Sequence, residues 1–101
     1  MRIEYGTIAG DQQLAEDLAL YGVANGSLTV GAGRLLYLYG LCCADLIVEE
    51  GATATVLGTV AGNVINRGTV ALHGLVQGNV QTKGAKFEKS PASVISGTLE
   101  A

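Results

Sequence analysis

The side chains best equipped for chemistry are the adjacent thiols Cys42 and Cys43 and the single imidazole, His73. A structural zinc needs about four ligands, and two cysteines with one distant histidine fall short of that. Consecutive residues of a strand point to opposite sides, so Cys42 and Cys43 cannot form an ordinary long-range disulfide with each other. Cys42 is expected as a small buried hydrophobe and Cys43 as a free thiol near a corner. No lysine, arginine or histidine stands close in sequence to depress a thiolate pKa. A catalytic His73 would want a carboxylate and a nucleophile around it, and the residues aligned with its surroundings are mainly Tyr, Leu, Gly and Ala. Gly31-Ala32-Gly33 lacks the spacing and the following Lys-Ser or Lys-Thr of a phosphate loop and suits a turn better. Asn25-Gly26-Ser27 has the form of a glycosylation sequon, which matters only in a secreted chain. The chemistry therefore points to a non-enzyme with no catalytic residues, no cofactor and no metal, whose function lies in its surfaces.

Charge narrows the partner class. The net charge is −3, with 6 Lys plus Arg against 9 Asp plus Glu. Phosphate contacts need clustered positive charge, so nucleic acid is not expected as a partner. Acids such as Asp11, Glu16, Asp17, Asp45, Glu49 and Glu50 lie in the first half and could meet a basic protein. Lys83, Lys86 and Lys89 are expected in a solvated loop.

The elements that carry these residues announce themselves by repetition. A glycine after an aromatic or aliphatic residue, or after His73, returns at Gly6, Gly22, Gly40, Gly58 and Gly74, at intervals of 16, 18, 18 and 16. One coil of a β-solenoid needs roughly this many residues, whereas a helical-pair repeat needs about twice as many. Four places after each marker stand Gly10, Gly26, Ala44, Gly62 and Gly78, followed by Asp11, Ser27, Asp45, Asn63 and Asn79. Glycine tolerates positive φ and the short polar side chains bond to nearby backbone, so this pair predicts a corner. A second corner is expected at Gly33, Gly51, Gly68 and Gly84, and a third bend at the marker itself.

Between corners apolar residues alternate with a period of two, the pattern of a strand with one buried face. The predicted interior is a set of columns: Ile8, Ala24, Cys42, Val60 and Val76; Leu28, Leu46, Val64 and Val80; Leu20, Leu38, Val56 and Leu72; Leu18, Leu36, Ala54 and Val70. Such a core is narrow and leaves no room for an internal ligand. The composition, 49% hydrophobic with 15 Gly and 1 Pro in 101 residues, fits one compact all-β domain. The fold class expected is a single-stranded β-helix of about five coils of 16–18 residues. Residues 5–21 form a first imperfect coil, 22–82 the regular coils, and 83–101 a loop, partial last coil and cap. Residues 11–20 admit a helix capped by Asp11 with Leu14 and Leu18 on one face, but the interval and the Leu18/Leu20 alternation favour a coil. Met1 to Tyr5 alternates as a strand. No charged region followed by an apolar run opens the chain and no stretch approaches the roughly 18 apolar residues of a membrane span, so a cytoplasmic location is the default expectation.

The outward set is less polar than a free surface requires. Tyr5, Tyr21, Tyr39 and Leu57 precede the markers, Tyr37 lies two residues before Tyr39, and Val23, Leu41 and Leu75 follow the markers. Ile47 and Ile65 lie seven places after theirs. These residues are expected to form apolar stripes along one side, which suits partner contact; ladders that merely stabilise neighbouring strands would look the same. The candidate contact residues are Tyr21, Tyr37, Tyr39, Leu41, Leu57, Ile47 and Ile65, with the three tyrosines first because they join apolar area to a hydroxyl.

The runs Tyr39-Gly40-Leu41, Asp45-Leu46-Ile47-Val48-Glu49-Glu50-Gly51, Gly58-Thr59-Val60-Ala61-Gly62-Asn63-Val64 and Gly74-Leu75-Val76-Gln77-Gly78-Asn79-Val80 resemble the bactofilins, polymer-forming bacterial cytoskeletal proteins. The resemblance spans roughly Gly22 to Val80. It implies a right-handed β-helix that assembles end to end without nucleotide. Two functions follow as expectations: a self-assembling scaffold whose partner is itself, or a small cytoplasmic binding protein, such as an immunity protein that neutralises a basic toxin domain.

Overall fold

A computed structural model describes residues 2–14, 16–82 and 85–100. Met1, the corner expected at Gly84 and the loop position of Lys83 lie outside the described residues. Three strands make each coil. The first coil holds β1 (Arg2–Glu4), β2 (Thr7–Ile8) and β3 (Gln12–Leu14); the second β4 (Leu18–Leu20), β5 (Val23–Ala24) and β6 (Leu28–Val30). The third holds β7 (Leu35–Leu38), β8 (Leu41–Cys42) and β9 (Leu46–Val48); the fourth β10 (Thr53–Val56), β11 (Thr59–Val60) and β12 (Val64–Asn66). Then come β13 (Thr69–Leu72), β14 (Leu75–Val76) and β15 (Val80–Gln81), and last β16 (Lys86–Lys89), β17 (Val94–Ile95) and β18 (Leu99–Glu100).

Strands at the same place in successive coils pair in parallel, giving three sheets of six strands: β1-β4-β7-β10-β13-β16, β2-β5-β8-β11-β14-β17 and β3-β6-β9-β12-β15-β18. The chain is a β-solenoid of about five turns, with the last coil beginning at β16. The register is the one the columns imply, with Leu18 beside Leu36, Ala54 beside Leu36 and Val70, and Leu46 beside Leu28 and Val64. Residues 12–14 and 18–20 are strands, not a helix. An isolated helix of ten residues is marginal in water, whereas here Gln12 to Leu14 pair with Leu28 to Val30 and Leu18 to Leu20 with Leu36 to Leu38.

Every column predicted as interior is buried, from Ile8 at one end to Val80 at the other. A further inward column, Leu14, Val30, Val48, Asn66 and Thr82, lies two places beyond Leu28, Leu46, Val64 and Val80. Its polar members are partnered: Asn66 Nδ2 donates to Thr82 Oγ1 at 2.9 Å and to the Lys86 carbonyl at 2.8 Å, and Asn66 Oδ1 accepts from Gly68 N at 3.0 Å. The reason for an asparagine there is the corner beside it. Val30 and Leu35, like Val48 and Thr53, are separated by four residues, and turns close from Arg34 N to Gly31 O at 3.0 Å and from Ala52 N to Glu49 O at 3.0 Å. Only Arg67 and Gly68 separate Asn66 from Thr69, so the Asn66 side chain supplies the acceptor that the shortened corner lacks.

The marker glycines are required by the close approach of successive coils. Positive φ occurs at Gly10, Gly33 and Gly51 among the described residues, and at none of the markers. At the marker, a Cβ on Gly22 would overlap the Gly6 carbonyl, and Gly40, Gly58 and Gly74 would meet the preceding marker's carbonyl in the same way. The coils close up here because one carbonyl takes two donors: Leu20 O accepts from Tyr39 N at 2.8 Å and Gly40 N at 3.0 Å, and Leu38 O accepts from Leu57 and Gly58, both at 2.8 Å. Ser93 occupies the marker's register in the last coil, since Val94 pairs with Leu75. Pro91 and Ala92 rebuild that corner as a turn, with Ser93 N and Ser93 Oγ donating to Ser90 O at 3.0 and 2.6 Å.

Within the segment expected as a loop, Lys86–Lys89 is a strand, paired with Thr69–Leu72. Phe87 takes the inward column of Val70, partly buried against the core, while Lys86 and Glu88 alternate outward; the charges that suggested a loop belong to an edge strand.

Candidate functional site

The residues first weighed for chemistry do not gather. Cys42 is buried and Cys43 exposed, both as free thiols. Burial pushes the Cys42 thiol above its ordinary range, against the opposing hydrogen bonds to the Ala44 and Leu28 backbone. Its Sγ lies 3.5 Å from Ala44 O, a weak contact. His73 is exposed at the corner, its backbone N–H donating to Val56 O at 2.8 Å. Among the described residues no group of three or more His, Cys, Asp or Glu side chains could hold a metal ion.

The tyrosines do gather. Tyr5, Tyr21 and Tyr39 stack at one corner of successive coils, with ring centroids 5.1 and 4.5 Å apart and the inner pair only 4° from parallel. Tyr37 joins from β7 at 6.4 Å from Tyr39. The stack forms because the marker corner repeats in register and sets the preceding residue at the same place each time. Flanked on both faces, Tyr21 is partly desolvated although 46% exposed, which together with the adjacent phenols raises its pKa above the usual 10.0. Leu57 and His73 continue the column.

The remaining contact candidates belong to other faces. Tyr37 is on the sheet that starts with β1, Leu41 on the sheet of β2, and Ile47 and Ile65 pair with each other on the sheet of β3. The expectation that all seven share one side is corrected: a coil of three strands points its outward residues in three directions. Tyr21, Tyr37, Tyr39 and Leu57 remain one neighbourhood. Leu41, Ile47 and Ile65 are half-buried ladder members of two further sheets.

The corner polar residues form a ladder of their own. Ser27 N donates to Asp11 Oδ1 at 2.8 Å, Asp45 N to Ser27 Oγ at 3.3 Å, Asn63 N to Asp45 Oδ1 at 2.8 Å, Asn79 N to Asn63 Oδ1 at 2.8 Å, and Thr98 N to Asn79 Oδ1 at 2.9 Å. Each side chain satisfies the backbone of the next coil. Here Asp and Asn act in stacking, and the acids Asp11 and Asp45 are in part structural.

The ends of the stack hold the residues that sequence reasoning missed. Register places Arg2 in the inward column of Leu18 and Glu4 in that of Leu20. They form an ion pair of 2.9 Å, and Glu4 Oε2 also accepts from Gly6 N at 3.2 Å. The Arg2 hydrogen bond, with help from Gly6, draws the Glu4 pKa below its ordinary value. Ile8 and Leu14 of the same coil are each only 7% exposed. At the other end Lys89 holds the inward column of Leu72, its Nζ donating to Ser93 O at 3.2 Å. Leu99 continues the column of Val80 but is 46% exposed, and Phe87 and Ile95 are only partly buried. Extending the period-two columns to Arg2, Glu4 and Lys89 would have found these charges; their polarity hid them from a search for apolar columns.

No protein-family model, curated protein or solved structure matches this chain. The fold rests on strand register alone. Among the described residues no helix is long and apolar enough to cross a membrane.

Proposed function

We propose that the chain is a non-enzymatic, bactofilin-like scaffold of the cytoplasm that acts by self-assembly. The observation that carries this reading is the edge of each sheet: among the described residues β1, β2 and β3 on one side and β16, β17 and β18 on the other each pair with a single neighbouring strand, and an edge strand of that kind can template pairing with another copy. The molecule measures 31 × 24 × 21 Å along its principal axes. Electron microscopy and sedimentation at low and physiological salt test it. Filaments or longer rods are the expected result, and a strictly monomeric particle at high concentration overturns it.

A second reading is favoured by the exposed stack of Tyr5, Tyr21 and Tyr39. In it the chain is a small binding protein, such as an immunity protein, whose tyrosine corner and net charge of −3 engage a basic toxin domain. Replacing Tyr21, Tyr37 and Tyr39 by Ser abolishes binding to a captured partner while the β-rich circular dichroism persists. Unchanged affinity removes this reading.

A further inference from the structure

Resting on the self-assembly reading, we infer that the joint is polar: the end bearing β16, β17 and β18 of one copy receives β1, β2 and β3 of a second copy in the register the sheets already follow. That continuation sets Glu4 of the incoming copy against Lys89, Arg2 against Phe87, and Ile8 against Ile95, because those residues occupy the same inward columns. Inward-pointing charges on an edge strand normally prevent edge-to-edge pairing, since joining would bury them without partners. Here each end carries the complement of the other. A carboxylate meets an ammonium, and a guanidinium meets an aromatic ring. The same residues that reject a foreign strand select this one.

Two features of the ends agree. Leu99, at 46% exposed, is the last member of the column that begins at Gln12 and runs through Leu28, Leu46, Val64 and Val80. The end it would meet carries a depression of about 160 Å³ lined by Arg2, Ile8, Gln12, Leu14 and Leu18 among others, space for a core-facing side chain. The corner ladder also continues. Asp11 begins it and Thr98 ends it, so the Thr98 hydroxyl is placed to accept from Asp11 N of the next copy, as Ser27 accepts from Asp45 N.

The test uses Glu4→Lys, Lys89→Glu and the double variant, each followed by sedimentation velocity and electron microscopy beside the unaltered chain. Either single change sets like charges in one buried column and raises the concentration needed for assembly by about tenfold or more. The double variant recovers assembly. An equimolar mixture of the two single variants also recovers it as an alternating copolymer, which shows that both had folded. If Glu4→Lys blocks assembly while Lys89→Glu does not, the joint is an antiparallel meeting of two β1 strands and the polar joint is overturned, with self-assembly intact. If both single variants assemble like the unaltered chain, the polar joint is likewise overturned. If the unaltered chain stays monomeric, both the joint and the scaffold reading fall.

Discussion

The middle coils and the end coils use the same columns for different purposes. Between β4 and β15 the inward positions of the β1 sheet are Leu18, Leu20, Leu36, Leu38, Ala54, Val56, Val70 and Leu72, all essentially removed from solvent. In β1 and β16 those same columns hold Arg2, Glu4, Phe87 and Lys89. The backbone is continuous across the change, and every pairing remains parallel. The difference teaches that coil shape is set by the backbone ladder and the corners, while the inward side chain decides whether a rung can be covered. A rung with neighbours on both sides wants apolar volume. A rung with one neighbour can carry charge, because half of its inner face is still wet.

The sharpest way to break this comparison is to remove the same kind of volume in both places. Leu38→Ala in the middle should cost about 2–5 kcal/mol, read by thermal or denaturant unfolding, because the coils on either side prevent collapse of the cavity. Ile95→Ala at the end should cost well under half as much; equal losses would show that the last coil is as firmly packed as the third. Next in size is Gly40→Ala. The added methyl meets the Gly22 carbonyl, and forcing the coils apart should cost about 1–3 kcal/mol or more. At Gly97, in the edge coil of the described residues, the same change should cost less although it too meets backbone, because an edge coil can shift outward.

Asn66→Ala sharpens the comparison from the polar side. It leaves Gly68 N, the Lys86 carbonyl and Thr82 Oγ1 without their partner and should cost about 1–3 kcal/mol, with faster amide exchange at Gly68. The smallest effect belongs to the charged end. The Glu4 carboxyl titrates below its ordinary 4.5 in the folded chain, so its contribution is present above that value and is lost as pH falls through the lowered folded pKa. Glu4→Gln should therefore flatten the acid limb of a stability-against-pH curve slightly and leave neutral stability nearly unchanged. A large drop at pH 7 would mean that the Arg2–Glu4 pair supports the first coil more than its exposure suggests.

Particular residues show where the sequence was legible. The buried columns through Leu20, Leu38, Val56 and Leu72 were readable because alternation and repetition speak together, and stacking converts one correct coil into several. The corner at Gly10, Gly26, Gly62 and Gly78 was readable for the same reason. Its cause was only partly so: φ is positive at Gly10, yet at Gly62 and Gly78 a Cβ would instead collide with the backbone of the coil below. The Lys86–Lys89 strand was hidden by its charge, and Asn66 by its polarity. Both sit in columns whose middle members are mostly apolar, and only pairing reveals that they belong there.

The candidate surface was legible by residue and not by direction. Tyr21, Tyr37 and Tyr39 come together because the corner repeats, but Leu41, Ile47 and Ile65 fall on other sheets, since a coil bent three times has three outward faces. By itself the sequence determined the period, the corners and the inward columns, all of which follow from local spacing. The tertiary structure alone decided which carbonyl each marker glycine must clear, which face each outward residue takes, and that Arg2, Glu4 and Lys89 stand in core columns at the two ends. Those facts depend on what lies above and below each coil, and one strand's spacing carries no record of its neighbours.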